Sequence, residues 1–466
     1  MQTAQVRHML PPMQEYDHLL ICYLINFTLI DSEDIVTNSY NPRLTRIDSK
    51  IKRGDIKDSN GDVLAYSSLS GESYSRHYNY PLEFSHVIGY TTNGMSGIES
   101  KYNFILQNPT NELFQRIRNL ITDEDIQGDS ITLTLNKDLQ QRAYNLLGSS
   151  KGSIVIMEPS TGKILAMVSY PNYDPSSILE KWSYLSADEG NNPLLNRATQ
   201  GLYPPGSTFK ILTMASAVEN LSDWNTYTYY CKGYEDYSER TINCFDSTPH
   251  GEVKMNSALA MSCNTFFSNI GLKLTAPILT QSAEKAMFNK PLDFSLDYNK
   301  AVFDLPADSS RSDIVVTSIG QGKTLVTPLY MALLTSSVAN NGIMMKPYIL
   351  DHAEDYNGIE KIKTLPSMLA QPFSSDTAHK VADAMQEVVT SGTGIQAAVW
   401  DTKIAGKTGT AENSSGDDHS WFVAFAPVDS PKVAVVVMLE NGGTGSKAVP
   451  VARELILKAL SAKNAE

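Results

Sequence analysis

Strand-like runs at both ends of a long helical stretch constrain this fold most. Gly152-Ser153-Ile154-Val155-Ile156-Met157 reads as a strand, Glu158-Pro159-Ser160-Thr161-Gly162 as a turn, and 163–168 as the returning strand of a hairpin. Far downstream, 420–426 and 433–439 are apolar runs joined by the turn Pro427-Val428-Asp429-Ser430-Pro431. Helical patterns dominate from about 207 to 390, and 449–460 reads as a closing helix. Strands at both ends with helices between predict one α+β domain whose sheet joins early and late segments of the chain. The span 31–130 is polar and turn-rich, with signals such as Asn60-Gly61 and Asn93-Gly94, and reads as a small extended module. Beyond it, 131–135 alternates as a strand and 137–147 reads as an amphipathic helix.

Composition narrows the partners. The 466 residues carry a net charge of −13, which makes the chain a poor binder of phosphate backbones, so no nucleic-acid partner is expected. Four cysteines are too few for a disulfide scaffold. None makes a Cys-x-x-Cys, so a structural zinc site is not expected. Cys231 and Cys244 are the one close pair; they read as buried free thiols in preference to a disulfide closing a short loop. The run 19–30, LLICYLINFTLI, is twelve residues long, where a full membrane span needs about 20. A shortened anchor, a signal-peptide apolar region and a buried helix all fit it.

The chemistry concentrates in three short elements. Ser207-Thr208-Phe209-Lys210 follows the rigid break Tyr203-Pro204-Pro205-Gly206, and Ile211, Met214, Ala215 and Val218 continue it at helical spacing. Ser207 then sits at a helix N-terminus, where the dipole favours developing negative charge, with Lys210 one turn on. A serine hydroxyl is a weak nucleophile that needs a base, and a desolvated lysine can serve. Alone, the tetrapeptide reads more readily as a capping serine and a solvated lysine; Ser49-Lys50-Ile51-Lys52 and Ser282-Ala283-Glu284-Lys285 share its spacing. Ser262-Cys263-Asn264, which lies between two helical patterns, offers a hydroxyl and an amide for proton relay and substrate holding. Lys407-Thr408-Gly409-Thr410, just before the late strands, offers a point charge and hydroxyls for a carboxylate, and Gly409 permits close backbone approach.

Together and in this order the three elements match the S-x-x-K, S-x-N and K-T-G set of penicillin-binding proteins and β-lactamases. The chain resembles the monofunctional, class B penicillin-binding proteins from about Lys52 to the C-terminal helix. Lys52-Arg53-Gly54-Asp55-Ile56 with Asp58, Asn60-Gly61 and Leu64-Ala65 is similar to the opening of that family's pedestal, and Gly94-Met95-Ser96-Gly97-Ile98-Glu99 to its G-x-x-G-x-E. Asn196-Arg197-Ala198, His250-Gly251, Gly320-Gln321-Gly322, Ala339-Asn340-Asn341-Gly342 and His419-Ser420-Trp421-Phe422 also match in order. The resemblance implies a penicillin-binding, β-lactamase-like transpeptidase domain over 131–466, an antiparallel sheet packed with helices. A pedestal over 31–130 precedes it, and the short apolar segment of 1–30 stands where the family has a membrane anchor.

It further implies a D,D-transpeptidase that cross-links peptidoglycan stem peptides. Ser207 attacks the D-Ala-D-Ala bond, Lys210 is the base, Ser262 passes the proton, and Asn264 holds the donor amide. Lys407, Thr408 and Thr410 meet the terminal carboxylate, beside Gly409, and the N–H groups of Ser207 and Thr410 form an oxyanion hole. A neighbouring stem-peptide amine takes the acyl group, β-lactams acylate Ser207, and no metal or cofactor is required. The resemblance also implies a partner glycosyltransferase at the cell membrane, with the catalytic domain outside the cytoplasm; no glycosyltransferase motif precedes residue 150, so a bifunctional class A protein is not expected. The competing functions are a D,D-carboxypeptidase or β-lactamase hydrolase, and a non-catalytic β-lactam sensor or scaffold.

Overall fold

The structure, a computed structural model, describes residues 51–107, 126–237, 240–413 and 416–463. The apolar run 19–30 lies outside these residues. No helix among the described residues is long and apolar enough to cross a membrane.

The catalytic half is built on one sheet. Its elements are helix α1 (Lys137–Leu147), strands β1 (Gly152–Met157) and β2 (Ile164–Tyr170), helices α2 (Lys210–Asn220), α3 (Asn264–Lys285), α4 (Pro328–Ala339) and α5 (Ser375–Thr390), strands β3 (Ala405–Ala411), β4 (His419–Ala426) and β5 (Val433–Leu439), and helix α6 (Val449–Lys463). The strands pair antiparallel in the order β3-β4-β5-β1-β2, so the late strands do join the early hairpin. Every residue of β1, β4 and β5 is buried, which explains why these strands read as continuous apolar runs.

Side-chain alternation divides those strands between two cores. Val155, Val423, Phe425, Val436 and Met438 face a core shared with α2–α5. Ile154, Ile156, Phe422, Val435 and Val437 face a second core closed by Leu139 and Ala143 of α1 and Leu455 and Ile456 of α6. Helix α4 is buried on all sides and packs across β1, β4 and β5. Thr327 caps it, accepting from Tyr330 N, with Pro328 in the first turn.

A second large sheet has six strands, in the order 360–363, 350–354, 130–133, 56–57, 63–70 and 73–78. Two of them come from the stretch that reads as largely helical in the sequence: Leu350–Glu354 and Glu360–Lys363 form a hairpin whose first strand pairs with Ser130–Leu133. Nearby, the buried Glu99 carboxylate receives Arg53 Nε and Arg76 Nε, each at 2.7 Å. Arg53 and Glu99, each part of a separate pedestal motif in the sequence, are thus one ion pair.

Candidate active site

The nucleophile candidate is carried on a tight turn. Ser207 lies in the 3-10 segment Gly206–Phe209, and α2 begins at Lys210. Pro205 is the capping residue of that segment, so Ser207 does not spend its hydroxyl as a cap. Gly206 adopts φ +52°, and a Cβ there would fall 2.4 Å from Thr410 O. Its N–H donates to Gly320 O at 2.9 Å, and a Cβ on Gly320 would in turn meet Gly206 O at 2.1 Å. These two glycines let the turn lie directly against β3.

Lys210 is wholly buried, which excludes the solvated-lysine alternative. Its Nζ lies 3.0 Å from Ser207 Oγ, and it donates to Ser262 O at 2.8 Å and Asn264 Oδ1 at 2.6 Å. Ser262 Oγ is 3.2 Å from it. Lys407, also fully buried on β3, places its Nζ 2.9 Å from Ser262 Oγ and 3.0 Å from Thr408 O. Ser207, Lys210, Ser262 and Lys407 therefore form one continuous hydrogen-bonded row. Among the described residues neither lysine makes an ion pair with a carboxylate. Burial pushes Lys210 down to about 8 from the ordinary lysine range. Burial, and then the nearby Lys210 charge, hold Lys407 well below that range.

The Ser262–Asn264 turn is held under strain. Ser262 has φ +56°, a left-handed conformation uncommon for residues other than glycine. Cys263 precedes α3, and Asn264 Nδ2 donates to Asn243 O at 2.7 Å. On β3, Thr408 Oγ1 shares a hydrogen bond with Thr393 Oγ1 at 2.6 Å, and Thr410 Oγ1 accepts from Gly445 N at 3.0 Å. Ser207, Ser262, Asn264, Thr408 and Thr410 line a cleft of about 650 Å³, within the usual range for small-ligand sites. Gly409 sits between Thr408 and Thr410 on β3, where a Cβ would meet Thr208 Cγ2 at 2.8 Å.

The structure thus brings all eight candidate residues together. It adds several that went unremarked in the sequence: Thr393, Asn243 and the loop Thr444, Gly445 and Ser446 also line the cleft. The glycine-flanked Ser391-Gly392-Thr393-Gly394 after a helix was the available signal for Thr393. Beside the cleft, one group of side chains among the described residues could hold a metal: Cys231, Cys244, His250 and Cys263. The three thiols are unbridged and buried. Sequence spacing gave no sign of this group, because its donors come from four separate segments.

Two family models cover most of the described chain. That of the penicillin-binding protein transpeptidase domain matches residues 152–457, and that of the penicillin-binding protein A dimerisation domain matches 53–131. The chain belongs to the penicillin-binding protein transpeptidases, as a class B, monofunctional member of that serine acyltransferase family. The peptidoglycan D,D-transpeptidase PbpA of Mycolicibacterium smegmatis is 33% identical over 95% of this chain and 96% of its own length. A D,D-transpeptidase domain from Eggerthella lenta superposes with a TM-score of 0.81 at 32% identity, covering 90% of this chain and all of that one. Penicillin-binding protein A from Mycobacterium tuberculosis, solved as a penicillin G acyl-enzyme complex, gives 0.81 at 29% identity, covering 88% of this chain and all of that one.

Proposed function

We propose that the chain is a serine D,D-transpeptidase of peptidoglycan synthesis that works through an acyl-enzyme on Ser207. The observation that carries this reading is the burial of Lys210 against Ser207 with no carboxylate partner. A neutral Lys210 has two N–H bonds and one lone pair. Its N–H bonds are accounted for by Asn264 Oδ1 and Ser262 O, the two shortest contacts, which leaves the lone pair for the Ser207 proton.

Acylation then proceeds in two moves. Ser207 Oγ attacks the carbonyl of the donor's D-Ala-D-Ala bond as its proton passes to Lys210 Nζ. The oxyanion is held by the N–H groups of Ser207 and Thr410. Lys407, Thr408 and Thr410 hold the terminal carboxylate, whose negative charge favours the protonated form of Lys407 and leaves Lys210 as the base. As the tetrahedral species collapses, the C–N bond breaks and the proton passes through Ser262 to the leaving amine, releasing D-alanine. Asn264 holds the donor amide. An acceptor amine then attacks the ester, loses a proton through the same row, and restores Ser207.

A β-lactam enters the same path, but its leaving group stays tethered, so the acyl-enzyme persists. The carboxyl-terminal 131–466 segment would carry the chemistry on a pedestal formed by 31–130. Its substrate lies outside the cytoplasm, so the catalytic domain faces that side. A separate glycosyltransferase would supply the glycan strands, and the pedestal would dock the cell-wall machinery. Ser207→Ala should abolish labelling by fluorescent penicillin while the protein stays folded. Full labelling of that variant refutes the assignment, and rapid turnover of the β-lactam assigns the chain to the hydrolases instead.

A further inference from the structure

The catalytic cleft adjoins a second cavity. The stretch Gly320-Gln321-Gly322 lies against the turn that carries Ser207, where Gly206 N donates to Gly320 O at 2.9 Å. Gln321 lines the catalytic cleft, whereas Gly322 lines a neighbouring cavity of about 400 Å³. Arg240 and Val316 belong to the walls of both, so the two spaces meet at these residues. Arg240 immediately precedes the strand Thr241–Asn243, whose Asn243 O accepts the Asn264 amide. It therefore belongs to the wall that carries Asn264, not to β3.

The charges at this junction differ in how they are tied. Asp304 pairs with Lys323 at 3.0 Å, and Asp313 accepts from Ser310 Oγ at 2.9 Å. The side chains of Arg240 and Asp308 have no ion-pair or hydrogen-bond partner among the described residues. An exposed arginine on an open surface is usually only solvated. This one borders the space that reaches the nucleophile.

The reaction calls for such a space. The acyl-enzyme still holds the first peptide, with Asn264 on its amide, when the second peptide arrives. By microscopic reversibility the attacking amine takes the place that D-alanine left, so the remainder of the second peptide needs a groove of its own. Holding that remainder fixes the amine in attack geometry. Arg240 offers a planar donor fork that fits a carboxylate.

We propose that Arg240 and the adjoining cavity bind the acceptor stem peptide, with the guanidinium on an acceptor carboxylate remote from the attacking amine. The proposal rests on the acylation reading above. Asp308 would accept amide N–H groups of the same peptide. As the amine attacks the Ser207 ester, the C–N bond forms and the C–O bond breaks. The amine proton returns through Lys210 to Ser207 Oγ. An acceptor that fills only the leaving-group place, such as D-alanine itself, gains nothing from Arg240.

The test uses the full chain and a peptidyl thioester donor, whose acyl-enzyme partitions between water and an added acceptor. The ratio of transfer to hydrolysis does not depend on how fast the ester forms. One acceptor is D-alanine. The other is an N-acetylated stem tripeptide ending in lysine or in a diamino diacid, whichever transfers faster. Arg240→Gln should lower the ratio for the tripeptide by about tenfold and for D-alanine by less than about twofold. Amidating the tripeptide carboxylates remote from the amine should lower the wild-type ratio by about the same factor and barely change that of Arg240→Gln. Arg240→Lys keeps the charge without the fork and should fall between. An unchanged tripeptide ratio in Arg240→Gln overturns the proposal, as does an equal loss for both acceptors or a wild type that transfers to neither tripeptide. Absence of any acyl-enzyme by intact mass would instead count against the acylation reading.

Discussion

Raising the pH from 6 to 9 should speed acylation of Ser207 by a β-lactam about ninetyfold, with half the maximal rate near pH 8 and a plateau above about pH 9. The magnitude follows from Lys210. Burial lowers its pKa to about 8, against 10.5 for an ordinary lysine. The base is the unprotonated amine, so the rate tracks the neutral fraction and rises with pH. At pH 7 about one molecule in ten carries neutral Lys210, against about three in ten thousand for an unperturbed lysine. From pH 6 to 9 the neutral fraction climbs from about 1% to about 90%. The assay is the second-order rate constant for fluorescent-penicillin labelling at each pH, with near-UV circular dichroism as the check on folding. Lys210→Arg supplies the control: arginine stays protonated, so its residual rate should be low and flat across the same range. A wild-type profile that is flat or falling from pH 6 to 9 would refute Lys210 as the base.

Other substitutions test the parts around that base. Lys407→Ala removes the donor to Ser262 Oγ and should slow acylation by about 10- to 100-fold in the same assay. Gly206→Ala forces a Cβ to 2.4 Å from Thr410 O at a positive φ, so labelling should fall by about 100-fold or more and the unfolding midpoint should fall with it. Glu99→Ala removes the buried carboxylate that receives both Arg53 and Arg76; it should cost about 3–5 kcal/mol in chemical unfolding. Burial lowers His86 to about 4, from 6.5 in the unfolded chain. Its folded pKa is depressed, so stability falls as pH drops from 6.5 to 4. Wild type should lose about 3 kcal/mol more than His86→Leu across that window, read from urea unfolding at each pH.

The catalytic sheet was legible because β1, β4 and β5 are buried on both faces and so read as unbroken apolar runs. The row Ser207, Lys210, Ser262 and Lys407 was legible as three short elements in order, though not as a row. The contact between Lys407 and Ser262 depends on β3 lying against the Gly206 turn, which no local pattern encodes. The late hairpin Leu350–Glu354 and Glu360–Lys363 escaped notice because its partly exposed strands show no clean alternation. Its pairing partner, Ser130–Leu133, lies more than two hundred residues upstream. The thiol group stayed hidden for a related reason. Cys231, Cys244, His250 and Cys263 lack the short spacing that marks a zinc knuckle, and only the packing of the strands around 229–253 against α3 brings them together.

The central claim is that Ser207, activated by Lys210, forms a lasting acyl-enzyme. Intact-mass analysis after exposure to penicillin G, with the modified peptide sequenced, tests it most directly. A single adduct of one penicillin per chain, located on Ser207 and lost in Ser207→Ala, is the predicted result. An unmodified chain, or an adduct that persists in Ser207→Ala, would contradict it.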